Sequence, residues 1–329
     1  MAYVKFLLRY FDSLASVLSL PLITSDMRRH VFLMSLLFAI LGCAAPDRPI
    51  TVRGSDTMVA LGQKWAEIYM NKFPNQTVQV NGGGSGTGIA ALINRTADIC
   101  QSSRPMKARE RKKIQEKFGH EVIEIPVAKD GIVIYVHKDN PVAKISIPQL
   151  RKIYTGEIQN WKALGGEDRR IIVYGRENSS GTYEFFKKEV LKGTDFADYV
   201  QTLPGTAAIV NAVSKDPYSI GYGGNAYSQG VRILPVSRTD TSQAIEANEL
   251  TITTGEYPIS RNLYFYLAKP PNAVVQHFLD WVLSDEAQAI VIEQGYFPIK
   301  TSASSGRTKT TSQLIYEHHF HEERQSGSR

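Results

Sequence analysis

A seven-residue stretch, Gly82–Gly88, has the composition of an anion-binding loop, with five glycines around Ser85 and Thr87. It follows a run with strand-like alternation, 77–81, and precedes an apolar run that predicts a helix. Glycines let a ligand approach the backbone closely, and the start of the helix directs free N–H groups and the positive end of its dipole at the same place. The pattern therefore predicts an oxyanion site, although a flexible Gly/Ser connector would have the same composition.

A second stretch, Arg176–Thr182, repeats this arrangement between a predicted strand and a predicted helix. Arg176 supplies a planar guanidinium suited to oxyanions. Gly181 allows close approach, while Ser180 and Thr182 offer hydroxyl groups. A surface arginine and ordinary helix capping are the alternatives. Because capping and anion binding use the same groups, the two interpretations of the hydroxyls are compatible.

These loops need a common sheet to bring them together. Predicted strands over 49–52, 77–81 and 98–100 are each followed by a loop and a helix, which implies a largely parallel sheet flanked by helices. Ligands of such sheets bind beyond the carboxyl ends of the strands, where all three loops fall. Further strands at 121–136 and one long amphipathic helix over 274–294 complete a predicted α/β fold with mixed sheets.

The composition is that of a globular protein with one large or two smaller domains: 329 residues, 43% hydrophobic and 21% charged. The net charge is +6, and the Lys and Arg residues are scattered among Asp and Glu. They form no basic stripe with interleaved aromatic residues, so nucleic acid is not a predicted partner. The two cysteines, Cys43 and Cys100, have neither metal-ligand nor disulfide spacing. No metal and no cofactor are predicted.

The first part of the chain has the features of a lipoprotein signal. A positive segment, 27–30, precedes a twelve-residue apolar run, 31–42, that is too short to cross a membrane. The run ends at Cys43 in a sequence that resembles a bacterial lipobox. Residues 1–43 are therefore expected to form a signal and lipoprotein segment, with a buried apolar helix and a chance cysteine as the alternative. At the other end, the polar stretch 302–329 is expected to be disordered.

Five stretches of the chain, in this order, resemble the periplasmic phosphate-binding proteins of bacterial phosphate ABC transporters, the PstS-type family. They are Gly54–Met58, Gly83–Gly88, Ser102–Arg104, Ile153–Trp161 and Arg176–Thr182. No single stretch is decisive. The five together lie between Ile50 and Thr301, which is nearly all of the mature chain.

The resemblance implies a two-lobed periplasmic-binding-protein-like fold of type II, in which two α/β lobes are joined by a hinge. Lobe 1 would comprise residues 44–128 and 236–301, and lobe 2 residues 129–235. The lobes would close on dehydrated inorganic phosphate, and the closed protein would dock on an ABC permease in the inner membrane. The resemblance thus implies binding without turnover, by a monomer that is periplasmic or at the cell surface and anchored to the membrane through Cys43.

The resemblance also implies a set of phosphate ligands. Position by position, they are Thr57, Met58, Ser85, Ser103, Arg176, Ser180, Gly181 and Thr182. Met58 would contribute its backbone N–H. Ser103 is a departure, because the best-known members have an aspartate there that accepts the phosphate proton, and a buried carboxylate rejects the unprotonated sulfate.

Two further residues are candidates for the site. Asp56 is the remaining candidate acceptor of the phosphate proton, and its alternative role is that of a helix N-terminal acid with no ligand contact. Arg104 either adds a second cation to the site or forms a surface salt bridge. Members of the family often have another aspartate where this chain has Asn178.

Other functions have weaker support. The G-x-S-x-G pattern of a serine hydrolase fails at Ser85 and at Ser180, a P-loop is missing, and the match to a dinucleotide loop lacks its acidic residue. Sulfate, molybdate or another oxyanion would suit the same donors, and a phosphate sensor would keep the ligand without feeding a permease. The tail histidines, His318, His319 and His321, are either metal ligands or simply solvated.

Overall fold

The computed structural model describes residues 48–299. The chain divides into two units, Met1–Arg48 and Pro49–Arg329, and the described fold belongs to the second. The predicted signal and lipoprotein segment with Cys43 lies outside the described residues. The tail 302–329 with its histidines does so too.

Eleven strands form within the described residues. They are β1 (Ile50–Gly54), β2 (Val78–Asn81), β3 (Ile99–Ser102), β4 (Ile123–Val136), β5 (Ile145–Ser146), β6 (Ile172–Arg176), β7 (Gln201–Leu203), β8 (Ser219–Gly224), β9 (Arg232–Leu234), β10 (Val236–Ser237) and β11 (Ser260–Leu267). Nine of them share one sheet of order β2-β1-β3-β11-β4-β8-β6-β7, with β9 also paired to β4, and β10 pairs separately with β5. Parallel and antiparallel pairs both occur, so the prediction of an α/β fold with mixed sheets is confirmed.

Nine α-helices of the described residues accompany these strands. They are α1 (Val59–Lys72), α2 (Ser85–Ile93), α3 (Ala108–Phe118), α4 (Ile147–Thr155), α5 (Gly181–Glu189), α6 (Gly205–Val213), α7 (Glu249–Thr253), α8 (Ala273–Val282) and α9 (Asp285–Glu293). Short 3-10 turns cover Asp56–Met58, Trp161–Leu164 and Asn225–Tyr227. The prediction of one helix over 274–294 is wrong, because Ser284 accepts the N–H of Ala287 at 3.4 Å and caps a new helix.

In the first half of the sheet, β3 and β11 are buried on both faces. β1, β2 and β3 are parallel, as predicted, and each leads into a helix. Successive side chains of a strand point to opposite faces, and β11 fills two cores in this way. Phe265 packs with Trp65 and Phe278 on one face. Tyr264 and Tyr266 pack with residues of α2 and α3 on the other face.

β4 carries the chain from the first half of the sheet to the second. Its first part pairs with β11 as far as Gly131, which lies opposite Ser260. Its last five residues, 132–136, pair with β8 and are fully buried in a separate core that includes Tyr154 and Phe186. Two cores joined by a strand crossing are what two lobes with a hinge require.

The second core also contains residues that the predicted boundaries assign to lobe 1. Val236, Ile252 and Ile259 are buried in it, and β11, which begins at Ser260, pairs with strands of the first half. Since a lobe is defined by its own core, we propose that lobe 2 spans 132–259, in place of 129–235.

Candidate anion-binding site

Hydroxyl groups from both lobes meet beyond the carboxyl ends of β1 and β3, at the start of α5. Thr57 Oγ1 lies 2.8 Å from Thr182 Oγ1, across the boundary between the lobes. The Ser103 N–H donates to Ser85 Oγ at 3.0 Å, and Ser103 Oγ accepts from Ser55 Oγ at 2.9 Å. All five residues are at most 1% exposed. We call these five residues the hydroxyl cluster; Ser55 is a member that the sequence did not predict.

The glycine loop owes its shape to positive φ angles, 105° at Gly83 and 92° at Gly84, which residues with a side chain rarely adopt. Gly84 occupies the N-cap position of α2. One residue into that helix, the Gly86 N–H donates across the lobe boundary to the Ser179 carbonyl at 2.9 Å. The loop is therefore both a helix N-terminus and a contact between the lobes.

The start of α5 lies against the hydroxyl cluster. Ser180 accepts the N–H of Tyr183 at 3.3 Å, which confirms its capping role. A Cβ built on Gly181 would lie 2.6 Å from Ser103 Oγ, and closer still to Ser85 Oγ, so only glycine allows this approach. Because the first N–H groups of a helix have no partner inside it, α5 brings main-chain donors to the same hydroxyls.

Arg176, at the end of β6, is buried and held by three side chains. Its Nε and Nη2 donate to the Glu177 carboxylate at 3.0 and 2.9 Å. Nη1 donates to Thr206 Oγ1 at 2.9 Å, and Nη2 also reaches Asp56 Oδ2 at 3.1 Å. Burial by itself would raise the pKa of Glu177, but the bonds and charge of Arg176 outweigh it, and the pKa lies below its usual range.

Asp56 uses both carboxylate oxygens to join the two lobes. Oδ1 accepts the N–H of Gly83 at 2.8 Å, and Oδ2 accepts from Arg176. The main-chain carbonyl of Asp56 accepts from the Tyr227 hydroxyl at 3.0 Å. Asp56 thus lies between the glycine loop and Arg176 of lobe 2. An acid that only stabilises the start of a helix would not need these two contacts.

Two of the predicted site residues make other contacts. The Met58 side chain is buried in the first core, and its N–H donates to the Ser55 carbonyl at 3.0 Å. Arg104 donates from Nη1 and Nη2 to the two oxygens of Glu110, at 2.8 Å each. The salt bridge considered for Arg104 is thus present, but it is buried and ties the loop after β3 to α3. Burial would raise the pKa of Glu110, yet the bonds from Arg104 and the Lys107 N–H prevail and lower it.

A second buried arginine lies beside the hydroxyl cluster, and no sequence motif indicated it. Arg261 of β11 forms an ion pair with Asp130 of β4 at 2.7 Å, and neither side chain has exposed surface. Burial raises the pKa of Asp130 above its ordinary value, against the opposing charge of Arg261. The available signal was a pair of adjacent charged residues, Lys129 and Asp130, between apolar runs of a strand, because a charge in such a place needs a buried partner.

The charges around the cluster do not add up to a positive site. Three carboxylates, of Asp56, Asp130 and Glu177, face the guanidinium groups of Arg176 and Arg261. An anion bound here would be stabilised by directed N–H and O–H dipoles in a dry environment rather than by excess positive charge.

Other features of the described residues bear on chemistry. Between residues 48 and 299, no group of three His, Cys, Asp or Glu side chains is placed to hold a metal ion. No helix in that range combines the length and the apolar character needed to cross a membrane. Cys100 is a buried free thiol in lobe 1, and burial raises its pKa.

Comparison with known proteins agrees with this architecture. A family model described as a PBP superfamily domain matches residues 43–286. The phosphate-binding protein PstS of Pseudomonas aeruginosa is 34% identical over 273 residues, which cover 78% of this chain and 84% of that protein. The protein of the same name from Bacillus subtilis is 32% identical over 251 residues, which cover 76% of this chain and 80% of that protein.

A solved structure shares the fold. It is a phosphate ABC transporter substrate-binding protein with bound phosphate from Clostridium perfringens, with a TM-score of 0.70 and 29% identity. The similarity covers 77% of this chain and all of that one. Together with the sequence relatives, it leads to one conclusion. The chain belongs to the PBP superfamily and, within it, to the family of the PstS proteins.

Proposed function

We propose that this protein is an extracytoplasmic solute-binding protein that captures inorganic phosphate between its lobes and delivers it to an ABC permease. The observation that carries the proposal is a buried cluster of side-chain hydroxyl groups at the start of α5, from Thr57, Ser85, Ser103 and Thr182. Donors in this arrangement suit a dehydrated oxyanion. The sequence relatives are named for phosphate binding, and the Clostridium perfringens structure contains bound phosphate.

In the proposed complex, phosphate replaces the contacts that the hydroxyl groups now make with one another. Its ligands are Thr57, Met58, Ser85, Ser103, Arg176, Ser180, Gly181 and Thr182. For Met58 this requires that its N–H exchange the Ser55 carbonyl for the anion. Closing of the lobes removes water, which strengthens each hydrogen bond in the lower dielectric.

Asp56 is the proposed acceptor of the phosphate proton. It is the carboxylate that touches both the glycine loop and Arg176, and each of its oxygens has a second lone pair. Phosphate carries a proton at neutral pH and sulfate does not, so a carboxylate that faces sulfate leaves two acceptors opposed. Phosphate would be selected in this way although Ser103 replaces the expected aspartate.

Another oxyanion, sulfate or molybdate, is the second candidate ligand, and Ser103 favours it. Its hydroxyl lies 2.9 Å from Ser55 Oγ and 3.4 Å from Ser85 Oγ, and a hydroxyl can donate to a fully ionised oxyanion. Binding without turnover belongs to both candidates. The serine hydroxyls bond to one another and to a main-chain N–H, which is an arrangement for binding rather than for activating a nucleophile.

We further propose that Cys43 is lipidated and keeps a monomeric protein at the periplasmic or cell-surface side of the membrane, near its permease. The support is the charged segment and apolar run that precede Cys43. Fractionation of cells tests this, with Cys43→Ala expected to move the protein from the membrane to the soluble fraction. Retention of the variant on membranes would exclude anchoring through this residue.

Isothermal titration calorimetry tests the ligand. The purified protein is freed of bound anion by unfolding and refolding, then titrated with phosphate, sulfate and molybdate. Phosphate binding that is roughly micromolar or tighter, without sulfate binding, is the expected result. The absence of binding heat with all three oxyanions would refute an anion site. Tighter binding of sulfate or molybdate than of phosphate would establish the second candidate.

A further inference from the structure

The ion pair of Arg261 and Asp130 is outside the set of residues proposed to touch phosphate, yet it adjoins two of them. Arg261 Nε and Nη2 both donate to Asp130 Oδ2, at 3.0 and 2.7 Å. Neither side chain has exposed surface. Because a buried ion pair often stabilises a fold no more than an apolar pair of the same volume, the contacts that it makes indicate its role.

Arg261 connects two loops of the candidate site. Nη1 donates to the Ser103 carbonyl at 3.0 Å, and Nη2 lies 3.5 Å from Thr57 Oγ1. A guanidinium has donors and no acceptor, so the Thr57 oxygen accepts on this side and its own proton points elsewhere. On the other side lies Thr182 Oγ1, at 2.8 Å, where the proposed anion would enter.

Asp130 extends this network to lobe 2. Its Oδ1 accepts the N–H of Asn225 at 3.2 Å, in the turn that follows β8. The ring of Phe185, on α5, lies 5.8 Å from the Arg261 guanidinium carbon. α5, the helix that brings Thr182 to the hydroxyl cluster, therefore also covers Arg261. The guanidinium is enclosed where the two lobes meet.

We propose that Arg261 is a positioning residue of the anion site: it fixes the Ser103 main chain and directs the Thr57 proton at the bound anion. Asp130 balances its charge and fixes the plane of the guanidinium by accepting two of its N–H groups. This inference rests on the proposed function and deepens it, because it makes affinity depend on a residue that does not touch the ligand.

Arg261→Lys separates charge from geometry, since an ammonium cannot hold Asp130, the Ser103 carbonyl and Thr57 at once. The variant is expected to bind phosphate at least about tenfold more weakly, the effect of losing a charge-assisted hydrogen bond. Arg232→Lys is the matched control, because Arg232 also donates to main-chain carbonyls, those of Asn140 and Val142. The control is expected to keep wild-type affinity.

A double-mutant cycle with Thr57→Val distinguishes positioning from general stability. If Arg261 acts through the Thr57 hydroxyl, Arg261→Lys weakens binding by a smaller factor when that hydroxyl is absent. Should the lysine variant fail to fold, the uncharged pair Asp130→Asn with Arg261→Met replaces it, and it is expected to fold and to bind weakly.

Calorimetry is run with phosphate, sulfate and molybdate, and the anion that the wild type binds best is used throughout. Two results would overturn the inference and leave the proposed function intact. One is wild-type affinity in the Arg261 variants. The other is a double variant whose loss of affinity equals the product of the losses caused by Arg261→Lys and Thr57→Val separately. A wild-type protein that binds none of the anions would overturn both.

Discussion

Gly181→Ala tests whether the two lobes meet as the structure has them. The added Cβ would lie 2.6 Å from Ser103 Oγ, which is shorter than the 3.0 Å below which real Cβ contacts essentially never fall. The φ angle of Gly181 is not in the left-handed region, so alanine strains neither the backbone nor the helix start. All of the cost therefore falls on the closed arrangement of the lobes.

The size of the effect follows from packing. Forcing one extra methyl group into a filled site costs about 1–3 kcal/mol, and each 1.4 kcal/mol is about a tenfold change in affinity. Gly181→Ala should thus weaken phosphate binding by roughly 5- to 150-fold. Replacing glycine in a helix favours folding by up to about 1 kcal/mol, so the melting temperature without ligand should stay the same or rise.

Calorimetry and differential scanning fluorimetry together make the assay. Gly86→Ala is the matched control, because it is also in the first turn of a helix at the lobe boundary. There the new Cβ would lie 3.3 Å from the Ser179 carbonyl, so the loss of affinity should be smaller. Wild-type phosphate affinity in Gly181→Ala would refute the reasoning, since Ser103 and α5 could then not approach each other in the bound protein.

Three further predictions concern the charged residues. Arg176→Ala should abolish detectable phosphate binding, because it removes the guanidinium and leaves two carboxylates unpaired; calorimetry that gives unchanged affinity would show that the site lies elsewhere. Asp56→Asn should narrow the preference for phosphate over sulfate, measured by competition, and a retained preference would exclude Asp56 as the proton acceptor. The pKa of Glu110 is lowered from its ordinary value of 4.5, so its bond to Arg104 stabilises the fold above that pH and is lost as the pH falls through the lower, folded-state value. Thermal melts from pH 6 to pH 3 should therefore show a steeper loss of stability in the wild type than in Glu110→Gln, and parallel curves would contradict this origin.

Local chemistry made much of this protein predictable from its sequence. The glycine loop opens a helix because five glycines in seven residues free the backbone, and Ser180 caps α5 because its hydroxyl reaches an N–H three residues ahead. The β–loop–α order fixes the parallel strands at the start of the sheet. Each of these depends on residues that are close together along the chain.

Partners that are far apart in sequence were decided by the tertiary structure alone. Thr57 and Thr182 are 125 residues apart, and nothing in either local sequence specifies the other. Arg104 is a local exception, because Glu110 lies only six residues ahead, yet the sequence left open whether Arg104 faces the anion or a carboxylate. Arg261 and Asp130 belong to no motif of the sequence, and their contact depends on the pairing of β11 with β4, which places them opposite each other.

Side-chain chemistry and helix capping are local properties, so the sequence specifies which groups can donate hydrogen bonds and which helix starts present them. The tertiary structure decided which of those donors share one dry site, where the lobes divide and which arginine supports the site without facing the ligand. Burial and charge pairing depend on how the two cores pack residues that are distant in sequence. The sequence pattern does not record the spatial distances between those residues.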